Sequence, residues 1–124
     1  MNTALVWAAV MVLGGLGAVC RLLVDRTVSG RVKLANGLPV GTLAVNVSGA
    51  WLLGLLGALA LTPQIALLAG TAFVGAYTTF STWMLETQRL AEERQGAAAA
   101  ANIVVSMVAG VAAAWLGQLT GRAL

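Results

Sequence analysis

The sequence predicts an all-α integral membrane protein with four transmembrane helices, and three observations predict it. Hydrophobic residues make up 60% of the 124-residue chain and charged residues only 9%, against roughly 25% charged in an ordinary soluble domain. A soluble fold of this size must cover a large surface with polar side chains, and seven Lys/Arg with four Asp/Glu cannot do so. The few charges are also clustered. Between them lie apolar runs of the length that a hydrocarbon core of about 30 Å demands.

The first helix is expected near residues 3–23. Residues 4–20 carry no charge and Arg21 closes the run. Met1-Asn2-Thr3 lacks the positive charge of a signal peptide, and Val19 before Cys20 is not the small residue of a lipid-anchor site. The segment therefore reads as a retained span, with Cys20 a small apolar residue inside it. A polar loop is expected over residues 24–38, holding Asp25, Arg26, Arg31 and Lys33, with Asn36-Gly37 as its turn signal.

Residues 34–85 are uncharged, too long for one crossing and about right for two. The division falls at Leu61-Thr62-Pro63-Gln64. Threonine is a good helix N-cap, and proline suits the first helical position because its missing N–H is not needed there. The second and third helices are therefore expected near 39–61 and 63–85. A solvated connection over 86–95 carries Glu86, Arg89, Glu92, Glu93 and Arg94, and the uncharged run 95–121 predicts the fourth helix near 96–120. The whole chain reads as one membrane domain.

With four crossings the first and third connections share a side. They hold Arg26, Arg31, Lys33, Arg89 and Arg94, with Arg21 just inside, against Arg122 alone on the other side. The positive-inside rule then puts both connections in the cytoplasm and both termini outside.

Several function classes are excluded at this point. The chain has no histidine and one cysteine, which removes Ser-His-Asp catalysis, histidine-bearing zinc sites and any intramolecular disulfide. No basic stripe with interleaved aromatics exists, so nucleic acid is not an expected partner. No enzymatic chemistry is expected. The 15 glycines and the alanine runs 97–101 and 112–114 fit close helix packing in lipid. A bundle of four short helices has little interior of its own, so a second chain is an expected partner beside the lipid membrane.

Polar residues inside the spans are more specific. Thr42 and Asn46 lie at i, i+4 on the second helix, with Gly49 close by. An amide at membrane depth faces a partner helix or a wet cavity, and both readings stand: interhelical glue or pore lining. The third helix contains Gly75-Ala76-Tyr77-Thr78-Thr79-Phe80-Ser81-Thr82-Trp83, in which five of nine residues carry hydroxyls. Threonines that bond backwards to carbonyls, next to glycine, bend helices. A broken helix at this depth survives only where its freed backbone is buried or lines a cavity. The segment is thus either a broken helix or a polar but continuous packing helix. The fourth helix adds Asn102 and Ser106, again at i, i+4. No lysine, aspartate or glutamate falls in the middle of a span. A proton-coupled pump normally keeps a carboxylate there, so the absence points to a passive pathway. It also counts against a small proton-coupled multidrug exporter, while a purely structural membrane subunit leaves Asn46 and the hydroxyl cluster unexplained.

Three motifs resemble the Fluc (CrcB-type) fluoride channels along essentially the whole chain. The first helix has Gly14-Gly15-Leu16-Gly17-Ala18-Val19-Cys20-Arg21, similar to that family's glycine-rich stretch ending in arginine. Gly41-Thr42-Leu43-Ala44-Val45-Asn46-Val47-Ser48-Gly49 resembles its G-T-L-x-V-N-x-x-G signature, and Thr78-Thr79-Phe80-Ser81-Thr82 with Glu86 resembles T-T-F-S-T plus a nearby glutamate. The resemblance implies a break in the third helix and an antiparallel, dual-topology dimer with two fluoride pathways along the protomer interface. It implies that Asn46 is the pore asparagine and that Phe80 faces the ion by its ring edge, the positive end of the aromatic quadrupole. Trp83 stands at the second phenylalanine position. Thr79, Ser81 and Thr82 are the candidate hydroxyl contacts, and Asn102 and Ser106 the polar track on the fourth helix. Arg21 matches the vestibule arginine, against its simpler reading as a snorkelling anchor. A structural sodium ion (Na+) at the dimer centre would be held by backbone carbonyls of Gly75 and Thr78.

The chain departs from the family pattern in three places. Trp83 replaces a phenylalanine, and conduction is expected to survive with altered rate or ion preference, since indole offers an edge and an N–H donor. Ala76-Tyr77 replaces the commoner Gly-Phe before the threonines. A homodimer of opposite orientations wants balanced charge, yet Lys/Arg are strongly biased to one side. The expectation is therefore a chain that inserts mainly one way and pairs with an oppositely biased paralogue, with a homodimer as the alternative.

Overall fold

A computed structural model describes residues 2–34 and 37–124. Asn36, half of the expected turn signal, lies outside the described residues. Among the described residues there are helices and no strands, and four helical segments are long and apolar enough to cross a membrane: Thr3–Arg31, Val40–Ala58, Pro63–Glu92 and Gly96–Ala123.

Helix α1 spans Thr3–Arg31, capped by Asn2, whose side chain accepts from the Ala4 N–H at 2.7 Å. It runs past residue 23, where the charge map placed the end of the span, and takes in Asp25, Arg26 and Arg31. At 1.5 Å per residue it is roughly 43 Å long, more than a hydrocarbon core needs. Charged residues mark where a helix meets water; they do not stop its backbone from winding. Helix α2 spans Val40–Ala58. After the short link, Thr62 caps the next helix as its sequence demands, with Oγ1 accepting from the Ile65 N–H at 3.3 Å and Pro63 in the first turn.

The third span is not one helix. Helix α3, residues 63–77, begins as α-helix over Pro63–Ala66, widens to π-helical winding over Leu67–Val74, and closes with a single α turn at Gly75–Tyr77. The chain then turns extended at Thr78, with φ −80° and ψ 162°, and restarts as helix α4 over Ser81–Glu92. The span expected at 63–85 is therefore broken in its middle and longer at its end. After α4, Arg94 adopts a left-handed conformation (φ 60°) and the Gln95 N–H reaches back to the Leu90 carbonyl at 2.8 Å. That is the usual way to end a helix. Helix α5 spans Gly96–Ala123.

Packing rests on backbone approach rather than on large side chains. A side-chain carbon at Gly117 would overlap the Trp51 carbonyl oxygen, and one at Gly54 would overlap that of Ala114. Helices α2 and α5 are thus pressed together along a glycine seam. On the other flank, Gly17 of α1 lies against the Phe73 carbonyl in the π-helical stretch. Gly49 of α2 lies against the Thr78 methyl, so the break itself is seated on α2. The large apolar side chains point outward: Met11 and Val111 are 73% and 72% exposed, as expected of surfaces that face lipid.

Candidate functional site

The break frees backbone groups at membrane depth, and α2 takes them up. Thr79's N–H, which in a continuous helix would bond the Gly75 carbonyl, donates instead to Asn46 Oδ1 at 2.8 Å. Asn46 Nδ2 in turn donates to the Thr79 carbonyl at 2.8 Å. One side-chain amide therefore clamps the backbone of one residue, holding the peptide N–H before it and the carbonyl after it, and still keeps a second N–H on Nδ2. The residues around the clamp finish the two helix ends. The Thr78 hydroxyl donates to the Val74 carbonyl at 3.0 Å, and Thr79 Oγ1 accepts from the Thr82 N–H at 3.2 Å, capping α4. On the α3 side, buried Tyr77 places its hydroxyl 2.8 Å from that of Ser48, which donates to the Val45 carbonyl at 3.1 Å. Asn46 and Ser48 thus hold the broken segment on both sides.

Two cavities meet at this point. A groove of about 900 Å³ opens between α2, α3 and α5, with Asn46, Thr79, Phe80, Trp83 and Ser106 in its wall. Phe80 is 69% exposed, and its ring meets that of Trp83 edge-on, with centroids 5.7 Å apart and planes at 83°. A smaller cavity of about 330 Å³ holds Arg21, Asp25, Thr42, Thr79 and Thr82. Thr79 lines both. Clamped Thr79 is therefore the wall between a charged mouth and an uncharged groove. Beside the mouth, the Thr42 hydroxyl donates to Glu86 Oε1.

Of the residues singled out from sequence, Asn46, Phe80, Trp83, Thr79 and Ser106 come together on the groove, and Arg21 and Thr82 on the smaller cavity. Ser81 is exposed and lines neither. Asn102 also lines neither: it is 3% exposed and its Nδ2 donates to Thr87 Oγ1 at 2.9 Å. The Trp83 N–H, expected as an available donor, donates to the Asn102 carbonyl at 3.1 Å. Three residues were not singled out for a role, Glu86 having been noted only as part of its motif. Glu86, Ser48 and Thr87 each reach the site by a hydrogen bond to a residue that was, or to its neighbour. Beyond the motif that includes Glu86, their sequence signal is helical spacing, Thr87 lying four residues after Trp83 and Glu86 four after Thr82.

Gly75 and Thr78 both face the groove. The Gly75 carbonyl has lost its helical donor to Asn46, and a freed carbonyl is the hard oxygen ligand that sodium favours. The donor set fits the group.

Residues 8–118 match the family model described as CrcB-like protein, Camphor Resistance (CrcB). The chain is 64% identical over 118 residues to a protein of Mycolicibacterium paratuberculosis named fluoride-specific ion channel FluC 2, covering 95% of each chain. It is 64% identical over 116 residues to the protein of that name in Mycobacterium tuberculosis H37Rv, covering 94% of this chain and 90% of that one. A protein of Leifsonia xyli named fluoride-specific ion channel FluC 1 is 45% identical over 123 residues, covering 96% and 88%.

Proposed function

Because this chain belongs to the CrcB-like family, we propose that it is a fluoride-selective channel of the cell membrane that lowers cytoplasmic fluoride by passive export. The observation that carries the reading is the Asn46 clamp on Thr79, which holds a helix open at membrane depth between a charged mouth and a largely apolar groove. Fluoride enters a cell as neutral HF, dissociates in a less acidic cytoplasm and is trapped as the anion. A negative-inside potential then drives it out with about 2.3 kcal/mol per 100 mV. No bond need be made or broken.

The path runs from the mouth at Arg21, past Thr82 and Thr79, to the groove. There the second N–H of Asn46, the ring edges of Phe80 and Trp83 and the Ser106 hydroxyl replace the ion's water. Ring edges attract an anion without the deep trap of a full positive charge, so the ion can also leave. Ser81 and Asn102 act from outside this lining. A structural sodium ion would take the carbonyls of Gly75 and Thr78, and its charge would hold the partly negative ends of two broken helices together.

A second chain in the opposite orientation closes the groove, which is why Phe80 is so exposed in one protomer. The Lys/Arg bias makes that partner an oppositely biased paralogue. A reporter fused to the C-terminus is expected to report from outside in nearly all molecules; equal signals from both sides would contradict the bias and favour a homodimer.

Fluoride efflux from liposomes tests the channel itself, with a chloride-only control. Fast fluoride loss without chloride loss is expected from the chain, alone or reconstituted with an oppositely inserted relative. Phe80→Ile is expected to slow it at least about tenfold, the equivalent of about 1.4 kcal/mol of barrier. Silence in both preparations would contradict the reading.

A further inference from the structure

Trp83 lines the groove, yet its one polar atom is turned away from it. The indole N–H donates to the Asn102 carbonyl on α5. Asn102 sends its own side-chain amide to Thr87 Oγ1, and Thr87 Oγ1 donates back to the Trp83 carbonyl at 2.8 Å. These bonds close a ring between α4 and α5 through three residues. Asn102 is nearly fully buried, so no water stands ready to replace a lost partner, and the ring holds or opens as a unit.

We propose that Asn102 and Thr87 are positioning residues that commit the Trp83 N–H to α5, so that fluoride meets only the carbon-bound edge of the indole. The proposal rests on the channel reading and deepens it. A free indole N–H in a water-poor path is a strong donor for a small anion, and an ion held too tightly does not leave. Tying that donor to a carbonyl lets tryptophan act toward the ion as a plain aromatic edge, opposed to Phe80 at 83°. The ring also fixes the indole plane, which sets that edge-on geometry.

The test uses the full chain with Trp7, Trp51 and Trp115 changed to Phe, leaving Trp83 as the one indole. The Trp83 N–H is followed by nitrogen-15 resonance and by hydrogen–deuterium exchange. In this parent, exchange is expected to be slow and the resonance unmoved by sodium fluoride. Thr87→Val is expected to speed exchange by about tenfold or more, the worth of a buried hydrogen bond. The resonance should then respond to fluoride and efflux should slow severalfold. Thr87→Ser, which keeps the hydroxyl, restores the parent behaviour. In a Trp83→Phe background Thr87→Val should no longer slow efflux, because no donor remains to be freed.

A parent resonance that shifts with fluoride would overturn the proposal. So would unchanged exchange in Thr87→Val, or an equal slowing of efflux with Phe at position 83. If Thr87→Val does not fold, the parent titration and the Thr87→Ser chain decide the matter. A parent that passes no fluoride, alone or with an oppositely inserted relative, while the chain with its native tryptophans is also silent, contradicts the channel reading instead, and the exchange rates still report on the ring.

Discussion

Asn46→Leu is expected to abolish fluoride conduction while leaving a folded protein. Leucine keeps the volume but removes both bonds to Thr79, so a peptide N–H and a carbonyl lose their partners in one step. Each unsatisfied buried group costs about 1–3 kcal/mol. The chain's nearest remedy is to rewind residues 78–80 so that the Thr79 N–H returns to the Gly75 carbonyl. Rewinding swings Phe80 by about 100° per residue and removes the wall at which the two cavities meet. Efflux should therefore fall at least about a hundredfold, since even about 2.7 kcal/mol of added barrier does this. Liposome efflux checks it, with size-exclusion chromatography to show that the variant is still folded. A subunit that only packs would tolerate leucine at this position, so undiminished efflux would contradict the role given to Asn46.

Gly117→Val is expected to have the largest effect on folding. At this position α5 touches the α2 backbone itself: an added carbon would overlap the Trp51 carbonyl oxygen and lie 2.9 Å from the Leu55 nitrogen. Neither atom can step aside as a flexible side chain would, so the two helices must separate along the seam that Gly54 shares. Overpacking a well-filled contact costs about 1–3 kcal/mol and occasionally more, and a double clash against backbone belongs at the upper end. Thermal unfolding in detergent and the yield of monodisperse protein measure it. Gly15→Val is the control, because nothing lies within 4 Å of the added carbon there. Its effect should stay within about 0.5 kcal/mol. Equal losses from both changes would mean that glycine content, and not the seam, sets stability.

The elements and the site were unequally legible in the sequence. The spans could be read because charge is excluded from lipid, and the cap at Thr62-Pro63 because threonine favours the N-cap and proline the first helical position. The end of α1 could not, since Asp25 and Arg26 mark the membrane surface and the helix continues beyond it to Arg31. The hydroxyl cluster located the break but left open whether the helix bends. What decides it is Asn46, thirty-three residues earlier in the chain, and helical spacing shows which face a residue shares without showing what that face meets. The π-helical winding of Leu67–Val74 has no sequence signal within an apolar run.

The fourth span shows the same limit from the other side. Asn102 and Ser106 share a helix face by spacing and were read as one polar track. Ser106 lines the groove, while the Asn102 amide turns to Thr87 on α4. Indole was read as offering a free N–H donor because nothing in a sequence shows that a backbone carbonyl lies 3.1 Å from the Trp83 nitrogen. Side-chain chemistry could be read residue by residue; which groups were already occupied could not.

Whether fluoride crosses passively is decided by the reversal potential of the reconstituted protein. With a fluoride gradient across the membrane, a passive fluoride pore reverses at the fluoride equilibrium potential, about 59 mV per tenfold gradient for a single charge. Imposing a pH gradient or exchanging chloride should not move it. A reversal potential that follows the proton gradient, or one that chloride displaces, would contradict a passive fluoride pore.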